Sequence, residues 1–408
     1  MLLQGLLGRS MEGRLDGWID TIRQRLDLPV KLVLWDGREL RLGLQQPRVT
    51  IKLRDKSALP LLLFPSLINL GEAYIQQKID IEGSLTDIIQ IAYSLASQVS
   101  ATGKMGRVVR SFRHSKTSDK AAIQYHYDVS NEFYKRWLDD KMVYSCAYYE
   151  TGDEDLSTAQ TKKIDHILTK IQLRRSETLL DIGCGWGALA IRAAQQFGAK
   201  CVGITLSQNQ YDLTRERVAQ AGLQDQVEIR MQDYRDVTGQ FDRITSVGMF
   251  EHVGHDNLTP YFAIIAKLLK PDGLAMNHGI TSTDPDDGDS PLGGGAFIDK
   301  YVFPQGELPH ISTVLSTMQE GGLEAFDVEN LRRHYARTCG VWAQNFEANA
   351  AKALELAGEQ RFRIWRIYLA ACSHAFDIDH VALYQVVCGH AGRSASKLPW
   401  SRRYIYGG

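Results

Sequence analysis

Residues 179–190 read LLDIGCGWGALA: an apolar run, three glycines at alternate positions, then good helix formers. Such a stretch predicts a buried strand, a tight turn and the start of a helix. A turn of this kind can hold a dinucleotide, a phosphate or an adenosyl sulfonium. Gly183, Gly185 and Gly187 are spaced GxGxG, whereas a dinucleotide fingerprint is GxGxxG with an acid ending the second strand. Here the second strand runs into VGITLSQNQ (202–210), which offers Thr205, Ser207 and Gln210 and no carboxylate. A phosphate loop would carry GKS or GKT, and neither occurs. Asp181 before the turn, QDY at 232–234 and VGMFEHVG at 247–254 suit S-adenosylmethionine better. That ligand has no phosphate, so close backbone, a polar wall and an apolar slot for adenine suffice. A tight turn with no ligand is the plain alternative.

Around this stretch, strands are expected at 178–182, 201–205, 227–231, 241–247 and 273–278, with helices near 188–197, 207–221 and 258–269. The alternation predicts a parallel, doubly wound sheet. Helices at 337–357 and 359–376 precede a strand at 380–389, and DPDDGDSPLGGG (284–295) reads as a mobile polar loop. The front of the chain reads as a smaller α/β unit. PVKLVLWDGRELRLGL (29–44) predicts a hairpin turning at Asp36–Gly37, followed by helices at 67–77 and 84–98. With 408 residues, two domains are expected: 1–103, a basic linker at 104–120, and 121–408.

The net charge is −1, but residues 1–120 hold 18 Lys and Arg against 12 Asp and Glu. Within KMGRVVRSFRHSKTSDK (104–120), Lys104, Arg107, Arg110 and Arg113 recur every three residues near Phe112. This stretch is either a solvated linker or a surface for anionic lipid headgroups. Six separated cysteines with no CxxC pair argue against a zinc site and for a reducing cytosol. MLLQGLLGRS lacks the pattern of a signal peptide, and the apolar run at 59–70 is too short to span a membrane.

Several blocks in order now carry a resemblance: QYHYDVSNEFY, MVYSCAYYE, LLDIGCGWGALA, VGITLSQNQ, FDRITSVGMFEHVG, KYVFP and LYQVV. From about residue 120 to 390 the chain resembles the cyclopropane-fatty-acyl-phospholipid and mycolic acid cyclopropane synthases. LGEAYIQQKIDIEGSLTDII (70–89) more faintly resembles their smaller amino-terminal, membrane-associating domain. The resemblance implies an α/β fold, a Rossmann-like S-adenosylmethionine-dependent methyltransferase domain with a smaller α/β domain in front. It implies methylene transfer to a cis double bond of phospholipid acyl chains. The alkene attacks the sulfonium methyl, and the resulting cation closes a ring by losing a proton, so the site must exclude water.

Position singles out Glu251 and His278, at the carboxyl ends of the fourth and fifth strands, as candidate proton-handling groups. A helix-starting Glu and a core His are the competing readings. Cys146, among aromatics, reads equally as an inert apolar thiol, and Tyr335 as packing. In the family, a Cys, a Glu, a His and a Tyr hold a bicarbonate that serves as base. Cys146, Glu251 and His278 match by motif, with the Ile280 backbone beside them, and Tyr335 matches by its place before VW. Cys372 matches a cysteine proposed as catalytic in the family, although its surroundings read as a buried helix face.

For the cofactor, the resemblance implies Tyr144, Ser145, Asp181, Gly183, Cys184, Gly185, Gly187, Thr205, Gln210, Asp233 and Tyr234. Tyr125, His126 and Tyr127 read as a lid or an aromatic cluster, and Phe297, Tyr301, Phe303 and Pro304 as an acyl channel or core. Expected partners are unsaturated phospholipid and an anionic membrane surface, with no nucleic acid and a homodimer left open. The expected location is cytoplasmic, with transient membrane association. A lipid methyltransferase giving methyl-branched or methylene chains is the second reading, and a non-catalytic lipid carrier the third.

Overall fold

The structure, a computed structural model, describes residues 11–100, 129–286, 291–392 and 398–406. Lys104, Arg107, Arg110, Arg113, Tyr125, His126 and Tyr127 lie outside the described residues. Two compact units emerge. The first comprises the described residues of Met1–Gly106, Ser290–Tyr301 and Gly358–His374, and the second holds the rest. Two later segments therefore belong with the front of the chain, beyond the expected boundary at 103.

In the first unit, β1 (Val30–Val33), β2 (Glu39–Arg41), β3 (Val49–Leu53) and β4 (Ile79–Glu82) form a sheet of order β2-β1-β3-β4. The predicted hairpin is β1–β2, in register Lys31↔Arg41, with Gly37 at φ 85 in its turn. Helices Leu67–Ile75 and Leu85–Ser100 follow the sequence reading. Ile19, Leu32, Leu42, Ile51 and Leu62 fill the core. Each such side chain contributes roughly 1.5–3 kcal/mol on burial. The predicted loop at 284–295 ends in a helix, since Gly294–Tyr301 is an α-helix, entered by a turn with Leu292 at φ 63. Phe297 and Tyr301 lie on this helix, their rings 5.3 Å apart.

The second unit is built on seven strands in the order β10-β11-β9-β8-β5-β6-β7. These are β5 (Thr178–Ile182), β6 (Lys200–Thr205), β7 (Val227–Met231), β8 (Phe241–Val247), β9 (Leu269–Ser282), β10 (Leu323–Asn330) and β11 (Val381–His390). Strands β9-β8-β5-β6-β7 run parallel, as expected. To these the late strands add a mixed edge: β11 pairs antiparallel with β9, and β10 pairs antiparallel with β11. Apolar residues alternate between its faces: Leu179 and Cys201 pack with helices Leu156–Lys170 and Ala188–Phe197, Leu180 and Ile204 with Leu258–Leu268 and Ile311–Glu320. Covered on both sides, the parallel strands can be nearly continuous apolar runs. Past β10, helix Arg332–Ala348 starts earlier than expected and carries Tyr335, and the next helix, Ala350–Asp377, breaks at Gly358 with φ 74.

Candidate active site

The glycine turn closes β5 and opens helix Ala188–Phe197. Gly185 and Gly187 adopt φ +54 and +83, conformations that side chains with a Cβ rarely enter. A Cβ at Gly187 would stand 2.3 Å from Thr214 Cγ2, so this glycine permits helix packing. A Cβ at Gly185 would meet nothing within 4 Å, so it is ligand space that would be filled there.

That space belongs to a pocket of about 1210 Å³, its open mouth included. The predicted cofactor residues Tyr144, Ser145, Asp181, Gly183, Cys184, Gly185, Thr205, Gln210, Asp233 and Tyr234 all line it, whereas Gly187 does not. Thr205 donates to Gln210 Oε1 at 2.8 Å, and the Ser207 hydroxyl caps the following helix, which sets the polar wall after β6. After β7, Asp233 takes two hydrogen bonds from the Arg235 guanidinium, at 2.8 and 2.7 Å, and one from its backbone amide at 2.9 Å. Burial pushes the Asp181 carboxyl up to about 6 although Thr245 donates to it at 2.8 Å.

Sequence reasoning missed Lys163 and Arg235, which line the pocket together with Trp186, Met249 and His252 of the quoted glycine and VGMFEHVG motifs. Trp186 sits inside the glycine motif itself, and its indole donates to Asn131 Oδ1 at 2.8 Å. Lys163 comes from helix Leu156–Lys170, whose polar sequence gave no sign of a buried face.

The candidate proton-handling residues gather at the carboxyl edge of β8 and β9. Glu251 lies four residues beyond β8, between pocket-lining Met249 and His252, and its Oε1 accepts the Ile280 amide at 2.7 Å. Burial raises its carboxyl to about 7. His278 sits on β9, two residues before Ile280 and in register with Val247 of β8. Gln385 of β11 donates to its Nδ1 at 3.2 Å, which leaves the ring proton on Nε2. Burial, helped by nearby Lys163 and Lys170, holds this imidazole well below its ordinary value, so it stays neutral. Glu251 Oε2 and His278 Nε2 are both buried without a hydrogen-bond partner. Two orphaned polar atoms in one region mark a place where a ligand completes the bonding.

Cys146 and Tyr335 converge on Leu331: its carbonyl lies 3.8 Å from the thiol and accepts the Tyr335 amide at 3.0 Å. The Leu331 amide in turn donates to Leu383, the β11 register partner of Ile280. Burial raises the Cys146 thiol far above its usual range, so it is a neutral group. The Tyr335 ring packs on Trp342 and Phe376. Cys372 is not among these residues. It lies in the first unit, its thiol pushed up to about 12 by burial. Phe303 packs near His252, with rings 5.4 Å apart.

Residues 114–386 match a family described as mycolic acid cyclopropane synthetase, and residues 18–104 match a domain of unknown function. The chain is 44% identical over 391 residues to a protein of Pseudomonas putida named probable fatty acid methyltransferase, which covers 94% of this chain and 98% of that one. Identity to the cyclopropane-fatty-acyl-phospholipid synthase of Escherichia coli (strain K12) is 40% over 262 residues, 64% of this chain and 66% of that one. Among solved structures, mycolic acid cyclopropane synthase CmaA1 complexed with SAH and CTAB aligns with a TM-score of 0.63 at 34% identity. That alignment covers 66% of this chain and 97% of that one.

Proposed function

The chain belongs to the mycolic acid cyclopropane synthetase family, and from that premise we propose that it builds cyclopropane rings on unsaturated acyl chains of membrane phospholipids, with bicarbonate as base. It is an S-adenosylmethionine-dependent C-methyltransferase, and action on lipid double bonds goes with the family. Phospholipid as substrate and bicarbonate as base are the finer parts of the proposal.

When bound, S-adenosylmethionine supplies an electrophilic methyl group. The turn at Gly183–Gly185 lets backbone approach it, while Asp181, Thr205, Gln210 and Asp233 provide polar wall and Ile204, Leu206, Met249 and Val253 apolar surface. Those apolar groups keep water from the positive charge that develops on the acyl chain. Burial would leave the Glu251 carboxyl about half protonated near neutrality, so in its protonated form it can donate a hydrogen bond.

The observation that carries the bicarbonate reading is the pair of orphaned atoms, Glu251 Oε2 and His278 Nε2. A protonated carboxyl and a neutral imidazole N–H are two donors, suited to an anion with oxygen acceptors. Bicarbonate held there would supply a base, with Cys146, Tyr335 and the Ile280 backbone as further members of the site.

Residues 1–103 and the basic stretch 104–120 would bring the enzyme to an anionic membrane surface, in keeping with transient association from the cytoplasm. Among the described residues no helix is long and apolar enough to cross a membrane. The name of the Pseudomonas putida relative favours a second product, a methyl-branched or methylene chain, from the same pocket.

Purified enzyme assayed on vesicles of unsaturated phospholipid in degassed, bicarbonate-free buffer should turn over slowly and recover when bicarbonate is added. Full turnover without bicarbonate overturns the base, and unmodified lipid under both conditions overturns the function.

A further inference from the structure

Lys163 is a buried lysine that the chemistry above leaves unused. It is 2% exposed, yet it lines the pocket. Helix Leu156–Lys170 presents it one turn after Gln160, whose amide donates to the Ser145 carbonyl at 2.7 Å. Among the described residues its ammonium has one hydrogen-bond partner, the Ser145 hydroxyl at 2.8 Å. An ammonium has three donors, and burying it beside a single neutral acceptor is unfavourable unless something anionic arrives. Asp181 and Asp139 are near enough to be felt, but Asp181 takes a hydrogen bond from Thr245 and Asp139 takes backbone amides. Burial pulls the Lys163 ammonium down to about 8.

Of the other cationic groups on the pocket wall, Arg235 is bonded twice to Asp233 at the far end of the sheet edge, after β7. S-adenosylmethionine has two positive groups, its sulfonium and its amine, which Lys163 repels, and one negative group, its carboxylate. We infer that Lys163 is a further cofactor-binding residue: with Ser145, it holds the carboxylate of the methionyl end of the methyl donor. This rests on the pocket being the methyl donor's.

The test compares S-adenosylhomocysteine with its decarboxylated analogue, which keeps the sulfur and the amine, by calorimetry. The parent protein should bind S-adenosylhomocysteine at least about tenfold more tightly than the analogue. Lys163→Met should lose about tenfold or more for S-adenosylhomocysteine and change by less than about twofold for the analogue, and Lys163→Arg should recover part of the loss. Equal losses for both ligands would mean that Lys163 only braces the loop around Ser145, which overturns the inference. Equal affinity of the parent for both ligands overturns it too, even if Lys163→Met fails to fold. Binding of neither ligand to the parent would instead remove the pocket assignment itself, and the inference with it.

Discussion

Replacing Glu251 by Gln separates charge from shape. A glutamine carbonyl can still accept the Ile280 amide that Glu251 Oε1 takes at 2.7 Å, so the turn after β8 keeps its anchor. What disappears is a carboxyl that burial raises from 4.5 to about 7. In the unfolded chain that carboxyl ionises near its ordinary value. Its stabilising contribution is therefore complete below about pH 4.5 and is lost as pH rises through about 7. At about 1.4 kcal/mol per unit, the loss is about 3 kcal/mol. Glu251→Gln has no such dependence, so relative to the parent its stability should rise by about 3 kcal/mol from roughly pH 4.5 to pH 8. Urea unfolding of both proteins across that range, without bicarbonate, reads the difference. Turnover on phospholipid vesicles should fall by about a hundredfold or more, with S-adenosylhomocysteine affinity within about twofold. A parallel pH dependence would show that the carboxyl ionises freely. Turnover equal to the parent's would reduce Glu251 to a residue that begins a helical turn.

Gly185→Val projects a branched side chain into open pocket space and strains the turn at φ +54, so it should abolish S-adenosylmethionine binding; unchanged affinity by calorimetry would sink the assignment of the turn. Changing Lys104, Arg107, Arg110 and Arg113 together to Gln removes roughly 1 kcal/mol of attraction each to an anionic surface. Sedimentation with anionic vesicles at low salt should then drop sharply, and binding as strong as the parent's would place docking elsewhere. Cys372→Ser should keep near-parental turnover, since burial holds that thiol protonated up to about 12. A loss beyond about tenfold in a folded variant would restore a catalytic role.

The strands around the glycine turn were legible because buried parallel strands are short runs rich in apolar and β-branched residues, ended by glycines or caps, as β5, β6 and β8 are. β10 was not legible. LEAFDVEN carries Glu324, Asp327 and Glu329 and drew no strand expectation, yet Lys170 pairs with Asp327 at 3.0 Å and Arg402 pairs with it at 2.7 Å. An edge strand whose charges are neutralised by residues far along the chain has no local signature. Lys163 and Gln160 were hidden in the same way, because LSTAQTKKIDHILTK has the polarity of a surface helix. Only tertiary structure shows that its lysine points inward. The glycines beginning helix Gly294–Tyr301 misled for the opposite reason, since local composition favoured a loop where packing in the first unit formed a helix. Motif residues fared differently. Ten of the eleven cofactor candidates line one pocket: Asp181 and Thr205 lie at the ends of β5 and β6, Gly183, Cys184, Gly185, Gln210, Asp233 and Tyr234 in the segments that follow β5, β6 and β7, and Tyr144 and Ser145 come from the loop before helix Leu156–Lys170. Gly187 is the exception: it caps the helix and faces Thr214 rather than the pocket.

Cells expressing the chain and fed methionine deuterated at its methyl group test the central claim most directly, by mass spectrometry and NMR of their phospholipids. The account predicts acyl chains that gain a CD2 unit with the proton signals of a cyclopropane. A CD3 branch would contradict the ring product. Acyl chains free of label, in cells whose enzyme is folded and binds S-adenosylmethionine, would contradict methylene transfer to phospholipid altogether.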